Sequence, residues 1–357
     1  MGADTTTAGT TAGTTAAGAT GTVRPAAVEE VVAAGAAVLE AVRRVVVGQA
    51  DSLRLTLAAV LAGGHVLLED VPGLGKTLAA RSLAAALGLD FRRLQCTPDL
   101  LPADVTGSFV YDPAGSAFTF HPGPVFTGLL LVDEVNRTPP KTQSALLEAM
   151  QERQVTVEGR TYPLPRPFHV LATANPVEYE GTYPLPEAQL DRFLLRLDVG
   201  YPDRAGETEV LRRRLARRRE EALVEPVVDA ERLLALQAGV EQVDVDDDVA
   251  GYCVDLAAAT RRHRAVEVGA SPRGSLALLL VARALAVLDG RDAVLPEDVK
   301  AVAVPALAHR LTLRPETWAT GTTGATVVRE VLDSVPGPAT LPAVSALPAR
   351  PANPARA

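Results

Sequence analysis

Lys76 and Thr77 follow Gly73 and Gly75 in a loop that leaves the apolar run Val66 to Leu68 and opens an Ala/Leu-rich segment. That segment carries Ala79, Leu83 and Leu87 on one helical face. Strand, small-residue loop and helix in this order converge backbone N–H groups on phosphate oxygens at the positive end of the helix. In the pattern G-x-x-x-x-G-K-[ST] the lysine reaches the β- and γ-phosphates and the hydroxyl holds Mg²⁺. Asp70 stands here where that pattern has its first glycine. Downstream, the apolar run Leu129 to Val132 ends in Asp133 and Glu134. Side chains alternate along a strand, so Asp133 faces Mg²⁺ while Glu134, past the strand end, polarises a water for attack on the γ-phosphorus. A third apolar run reaches Asn175, whose amide both donates and accepts and so orients that water. Arg192, ahead of another β-like run, and Arg273, in a helix first turn after Ser271 and Pro272, complete the set of chemically useful residues.

These residues need a scaffold that brings several strand ends together. Five β-like runs, at 66–68, 91–96, 129–132, 169–174 and 193–199, alternate with helix-forming stretches such as 141–152. That alternation predicts an α/β fold with a parallel five-stranded sheet and the site at its carboxyl edge. Two hairpins are predicted between core elements, at 109–120 and around Glu158-Gly159 in 154–164. Two helices are expected either side of Gly48 and Gln49. Past Tyr201-Pro202-Asp203 the β signal ends, and helices are predicted at about 205–221, 229–238, 246–264, 272–288 and 296–310. The expected division is a disordered Thr/Ala/Gly tail at 1–25, a nucleotide-binding α/β domain at 26–202, an all-helical domain at 203–333 and a disordered Pro/Ala tail at 334–357.

A net charge of −8 argues against a chain whose main surface is a nucleic-acid or anionic-membrane footprint. Six arginines between Arg212 and Arg219 are followed by Glu220 and Glu221 and read as a solvated helix face. Cys96 and Cys253 have neither disulfide nor metal spacing, and the histidines form no ligand pair. The longest apolar run, Ser275 to Leu288, is broken by Arg283 and is too short to cross a bilayer. No membrane insertion is expected, and the cytoplasm is the expected location.

From Val45 to Leu313 the chain resembles the MoxR-type AAA+ ATPases. The motifs that carry the likeness include Val47-Gly48-Gln49, the loop ending in Lys76-Thr77, Gln95 with Asp99 to Gly107, Asp133 to Arg137, Lys141 to Glu152, Asn175-Pro176, Leu185 to Phe193 and Ser271-Pro272-Arg273. The resemblance implies an AAA+ core with a C-terminal helical lid, and ATP with Mg²⁺ as ligands. It implies that Gly48, Gln49 and the stretch Asp70, Val71, Pro72, Gly73, Leu74, Gly75, Lys76, Thr77 and Leu78 hold the nucleotide, with Thr77 and Asp133 on the metal. Glu134 becomes the catalytic carboxylate, Asn175 sensor 1, Arg192 an arginine finger for a neighbouring subunit and Arg273 sensor 2. A homo-oligomeric, hexameric ring is implied, with chaperone-like action on protein clients, including metal or cofactor insertion, and a von Willebrand factor A-domain partner. A DNA-associated motor or loader shares the same core and stays open as the alternative; a nucleotide switch with little turnover is disfavoured by Glu134, Asn175 and Arg192.

Overall fold

The computed structural model describes residues 23–69, 73–175, 182–218 and 224–339. Helices α1 (Val28–Arg43) and α2 (Ala50–Leu61) flank Gly48 and Gln49, each burying one apolar face. Gly48 adopts φ +76, and a Cβ there would come within 2.9 Å of Pro202. Glycine is needed both for the backbone angle and for that close approach. Strand β1 (Val66–Glu69) leads to the phosphate-loop stretch, and α3 (Lys76–Ala86) leaves it. Asp70, Val71 and Pro72 lie outside the described residues. Alanines at 79, 80, 84 and 86 are good helix formers and small enough to lay α3 close against the sheet.

The chain continues through β2 (Phe91–Gln95), α4 (Pro102–Thr106), the hairpin β3 (Gly107–Asp112) and β4 (Ala117–Pro122), and β5 (Leu129–Asp133). Helix α5 (Pro140–Glu152), the hairpin β6 (Gln154–Val157) and β7 (Arg160–Pro163), β8 (His169–Ala174), α6 (Glu187–Leu190) and β9 (Leu195–Leu197) complete this half. Both predicted hairpins form, and Glu158 and Gly159 turn the second with positive φ at both positions, as a tight hairpin demands. The sheet is parallel, in the order β2-β5-β8-β1-β9. Its alternation is visible in the packing: Leu129 and Leu131 enter one core with α1 to α3, while Leu130 and Val132 enter the other with Leu146, Leu147 and Met150 of α5. A fully buried leucine is worth roughly 2 kcal/mol, so a one-residue slip of β5 would forfeit several such contacts.

The second half contains α7 (Arg204–Arg217), α8 (Ala230–Val240), α9 (Asp247–Arg262), β10 (Val266–Val268), α10 (Pro272–Leu288), α11 (Pro296–Leu307), β11 (Thr312–Leu313) and α12 (Gly324–Ser334). Pro272 and Pro296 open their helices as expected, with Ser271 and Asp298 accepting the capping N–H bonds. Three features depart from the sequence expectation. The lid is not purely helical, because β10 and β11 pair as an antiparallel ribbon. Helix α12, unassigned from sequence, buries Val327, Val328 and Val331 against α9 and α11. The last core strand is also shorter, three residues at 195–197 rather than seven at 193–199. Helix α7 buries none of its residues, in keeping with a solvated arginine face.

Candidate active site

Four strand ends meet at the carboxyl edge of the sheet. A cavity of about 210 Å³ is lined by Gly73, Leu74, Gly75, Lys76 and Thr77 from the loop after β1, Arg93 and Gln95 from β2, Asp133 and Glu134 from β5, and Thr173 to Asn175 from β8. Lys76, Thr77, Asp133, Glu134 and Asn175, which the motifs single out, are brought by the fold to this one cleft. Gly75 caps α3 with φ +78, a conformation natural to glycine, and its neighbour Lys76 is buried at the helix N-terminus. Gln49 donates to the Leu74 carbonyl at 2.7 Å, which ties the Gly48-Gln49 corner to the loop.

The two carboxylates are held by a network. Thr173 donates its hydroxyl to Asp133 Oδ1 at 2.7 Å and accepts the Glu134 backbone N–H at 2.8 Å. Glu134 sits at φ 58, a left-handed conformation uncommon for a side-chain-bearing residue, so the bond to Thr173 helps to hold a strained backbone position. Arg93 grips Asp133 Oδ2 through Nε at 2.9 Å and Nη2 at 2.6 Å, and Nη2 also donates to Gln95 at 2.7 Å. Gln95 and Arg137 each donate to Glu134 Oε2 at 3.2 Å. Burial pushes the neighbouring Cys96 thiol up to about 11, so it is no nucleophile.

For Mg²⁺ the donor set fits. The Thr77 hydroxyl and one carboxylate, Asp133, are hard oxygen ligands, and Mg²⁺ is usually held by one or two carboxylates with phosphates and waters supplying the rest. Among the described residues no cluster of three or more His, Cys, Asp or Glu forms a cage that would favour another ion.

A second cavity of about 540 Å³ shares Gly73, Leu74 and Gly75 with the first. Val45, Val46, Val47, Leu78, Tyr201, Pro202, Val210 and Leu211 give it apolar walls, with Arg213, Arg214 and Arg217 also lining it. An apolar slot joined to a phosphate cradle suits a flat base. Leu78 and Gln49, both named by the resemblance, line this slot together with Tyr201, Pro202 and α7, which the sequence does not single out for this role.

Arg192 and Arg273 are elsewhere. With Gly63, Gly64, His65 and Leu194 they line a third cavity at the amino edge of the sheet, ahead of β1 and β9. A four-residue strand puts roughly 13 Å of backbone between that edge and the cleft. Asp191, beside Arg192, binds Arg310 Nε at 2.8 Å and Ser271 Oγ at 3.1 Å, with Arg273 at 3.9 Å. Asp191 thus fastens the segment that carries Arg192 to the lid.

The chain matches known proteins over most of this framework. Residues 65–195 match the ATPase family associated with various cellular activities (AAA), and residues 258–331 match an AAA lid domain. It is 51% identical over 300 residues to the uncharacterised protein YeaC of Bacillus subtilis, covering 84% of this chain and 93% of that one. It is 42% identical over 316 residues to the chaperone MoxR1 of Mycobacterium tuberculosis, covering 86% and 82%. A 38 kDa magnesium-chelatase subunit of Rhodobacter capsulatus is 30% identical over 343 residues, covering 82% and 93%. The crystal structure of a candidate ATPase from Cytophaga hutchinsonii superposes with a TM-score of 0.80 at 42% identity, covering 86% of this chain and 97% of that one.

Proposed function

Because the chain belongs to the MoxR family of AAA+ ATPases, we propose that it binds ATP at the carboxyl edge of its sheet and hydrolyses it to ADP and phosphate. The observation that carries this reading is the convergence of Lys76, Thr77, Asp133, Glu134 and Asn175 on one cleft that continues into an apolar slot. Lys76 meets the β- and γ-phosphates, and Thr77 with Asp133 would hold Mg²⁺, which when bound neutralises phosphate charge. Glu134 takes a proton from the attacking water as its oxygen bonds to the γ-phosphorus, the bond to the bridging oxygen breaks, and ADP leaves with that electron pair. Asn175 orients the water. Arg192, at the opposite edge, is the arginine finger for the cleft of a neighbouring subunit, with Arg273 as sensor 2, and a head-to-tail contact of this kind closes into a ring, here a hexamer.

The work done by that cycle is chaperone-like remodelling of a protein client, including maturation by metal or cofactor insertion, with a von Willebrand factor A-domain protein as partner. The family and its likeness to a magnesium-chelatase subunit support this. So does the aromatic character of the hairpins: Phe120 stacks on Tyr162 at 4.1 Å, joining β3–β4 to β6–β7, while Phe118 and Tyr111 remain exposed. Such exposure suits engagement of an apolar segment. The test is Glu134→Gln, which should bind ATP, fail to hydrolyse it and retain client proteins on purification. Turnover at the wild-type rate would reject Glu134 as the base; tight, salt-sensitive binding of duplex DNA by the wild type would move the reading to a DNA motor.

A further inference from the structure

Asp133 has two oxygens, and both are engaged by the protein itself: Oδ1 by the Thr173 hydroxyl and Oδ2 by the Arg93 guanidinium. The two contacts are not equivalent. Thr173 is buried and neutral, and a hydroxyl on one oxygen leaves the carboxylate charge available to a cation. Arg93 brings a positive charge to 2.6 Å from Oδ2, on a side chain that is 47% exposed and lines the same cleft as Lys76 and Thr77. A divalent ion on this carboxylate would share it with a fixed cation and be repelled by it. We propose that Arg93 is a resident counter-cation for Asp133 that Mg²⁺ must displace, so that Arg93 sets the Mg²⁺ concentration at which the cleft becomes competent. This rests on the cleft being the MgATP site.

Three observations favour exchange over a fixed structural pair. Arg93 stands on the edge strand β2 with a half-exposed side chain, so the cationic partner can withdraw into solvent while Asp133, 14% exposed, stays in place. Arg93 Nη2 already has a second acceptor in Gln95 at 2.7 Å, so the guanidinium keeps a partner when it leaves Asp133. Asp133 keeps the Thr173 hydrogen bond, so its carboxylate does not lose its orientation.

The two possible roles of Arg93 predict opposite signs. If it is a displaceable cation, Arg93→Ala lowers the half-saturating Mg²⁺ for binding a fluorescent ATP analogue, by roughly fivefold, about what a weak ion pair with one exposed partner contributes. In EDTA the same variant binds the analogue more weakly than wild type, because an uncompensated Asp133 then faces the phosphates. Arg93→Lys, which keeps the charge, should stay close to wild type in both titrations. If Arg93 only positions Asp133, Arg93→Ala raises the Mg²⁺ requirement, and that result, or no shift, overturns the proposal. Arg93→Gln provides the same charge removal with the side-chain stem retained, should the alanine variant lower the urea midpoint. Failure of the wild type to bind the analogue in Mg²⁺ would instead indict the nucleotide site itself.

Discussion

Thr173 links Asp133 to Glu134, since its single oxygen donates to the Asp133 carboxylate and accepts from the Glu134 N–H. Thr173→Val keeps the shape and loses both bonds. Groups that orient metal ligands and catalytic carboxylates from behind are commonly worth 10- to 100-fold in activity. Turnover should therefore fall by about 10-fold or more while ATP affinity changes little, and Thr173→Ser should restore it. A valine variant with wild-type turnover would show that the hydroxyl is only a buried polar group. Lys76, Thr77, Asp133, Glu134 and Asn175 were legible because each ends or opens a continuous pattern in its own stretch. Thr173 and Arg93 were not, because their partner Asp133 lies 40 residues away in both cases and is met only through strand register. A threonine closing an otherwise aliphatic strand, and an arginine inside one, were the available signals.

Between elements, the joint of lid and core rests on Arg310, almost fully buried, whose guanidinium meets Asp191 and the carbonyls of Phe193 and Leu194. Burial pushes Arg310 down from its ordinary value and the Asp191 charge opposes that. Asp191→Ala leaves the guanidinium without its counter-charge, a loss that in buried pairs costs about 3 kcal/mol or more. A drop of that size in the urea-derived stability is expected, and one below about 1 kcal/mol would mean the pair behaves as an exposed one. His65 and His169, at the starts of β1 and β8, form a second joint. His65 Nδ1 accepts from the Val170 N–H and its Nε2 donates to the Met150 carbonyl; His169 Nδ1 donates to the Gly64 carbonyl and its Nε2 accepts from Gln237. Both rings are thereby fixed neutral, and burial lowers them to about 3 and about 4. The unfolded chain takes up these protons near pH 6.5 and the fold does not, so stability is intact above that value and falls as pH drops from about 6.5 toward 4. Each ring contributes roughly 1.4 kcal/mol per pH unit within that window. Urea midpoints that stay level from pH 6.5 to 4.5 would contradict this. The short ribbon of β10 and β11 escaped the sequence reading because two or three residues cannot display a period, whereas the long core strands and Pro-started helices displayed theirs.

Across the whole molecule, the parallel sheet separates two cavities. The carboxyl edge holds the phosphate loop and both carboxylates; the amino edge holds Arg192 and Arg273. Sheet polarity follows from the α/β alternation, so the position of the cleft was foreseeable, but the distance of Arg273 from it was set by lid packing that only the fold displays. If Arg192 acts as the finger, as proposed, its place at the amino edge requires a second copy, and an arginine supplied from outside is worth about 10³-fold or more in phosphoryl transfer. Specific ATPase activity should therefore rise with protein concentration. The most direct measurement mixes two inactive variants: Arg192→Ala, with an intact pocket and no finger, and Lys76→Ala, with an intact finger and no nucleotide. Each alone should hydrolyse ATP poorly, and together they should regain part of the wild-type rate, as some interfaces pair an intact pocket with an intact finger. Full activity of Arg192→Ala under conditions where the wild type is strictly monomeric would contradict the shared site.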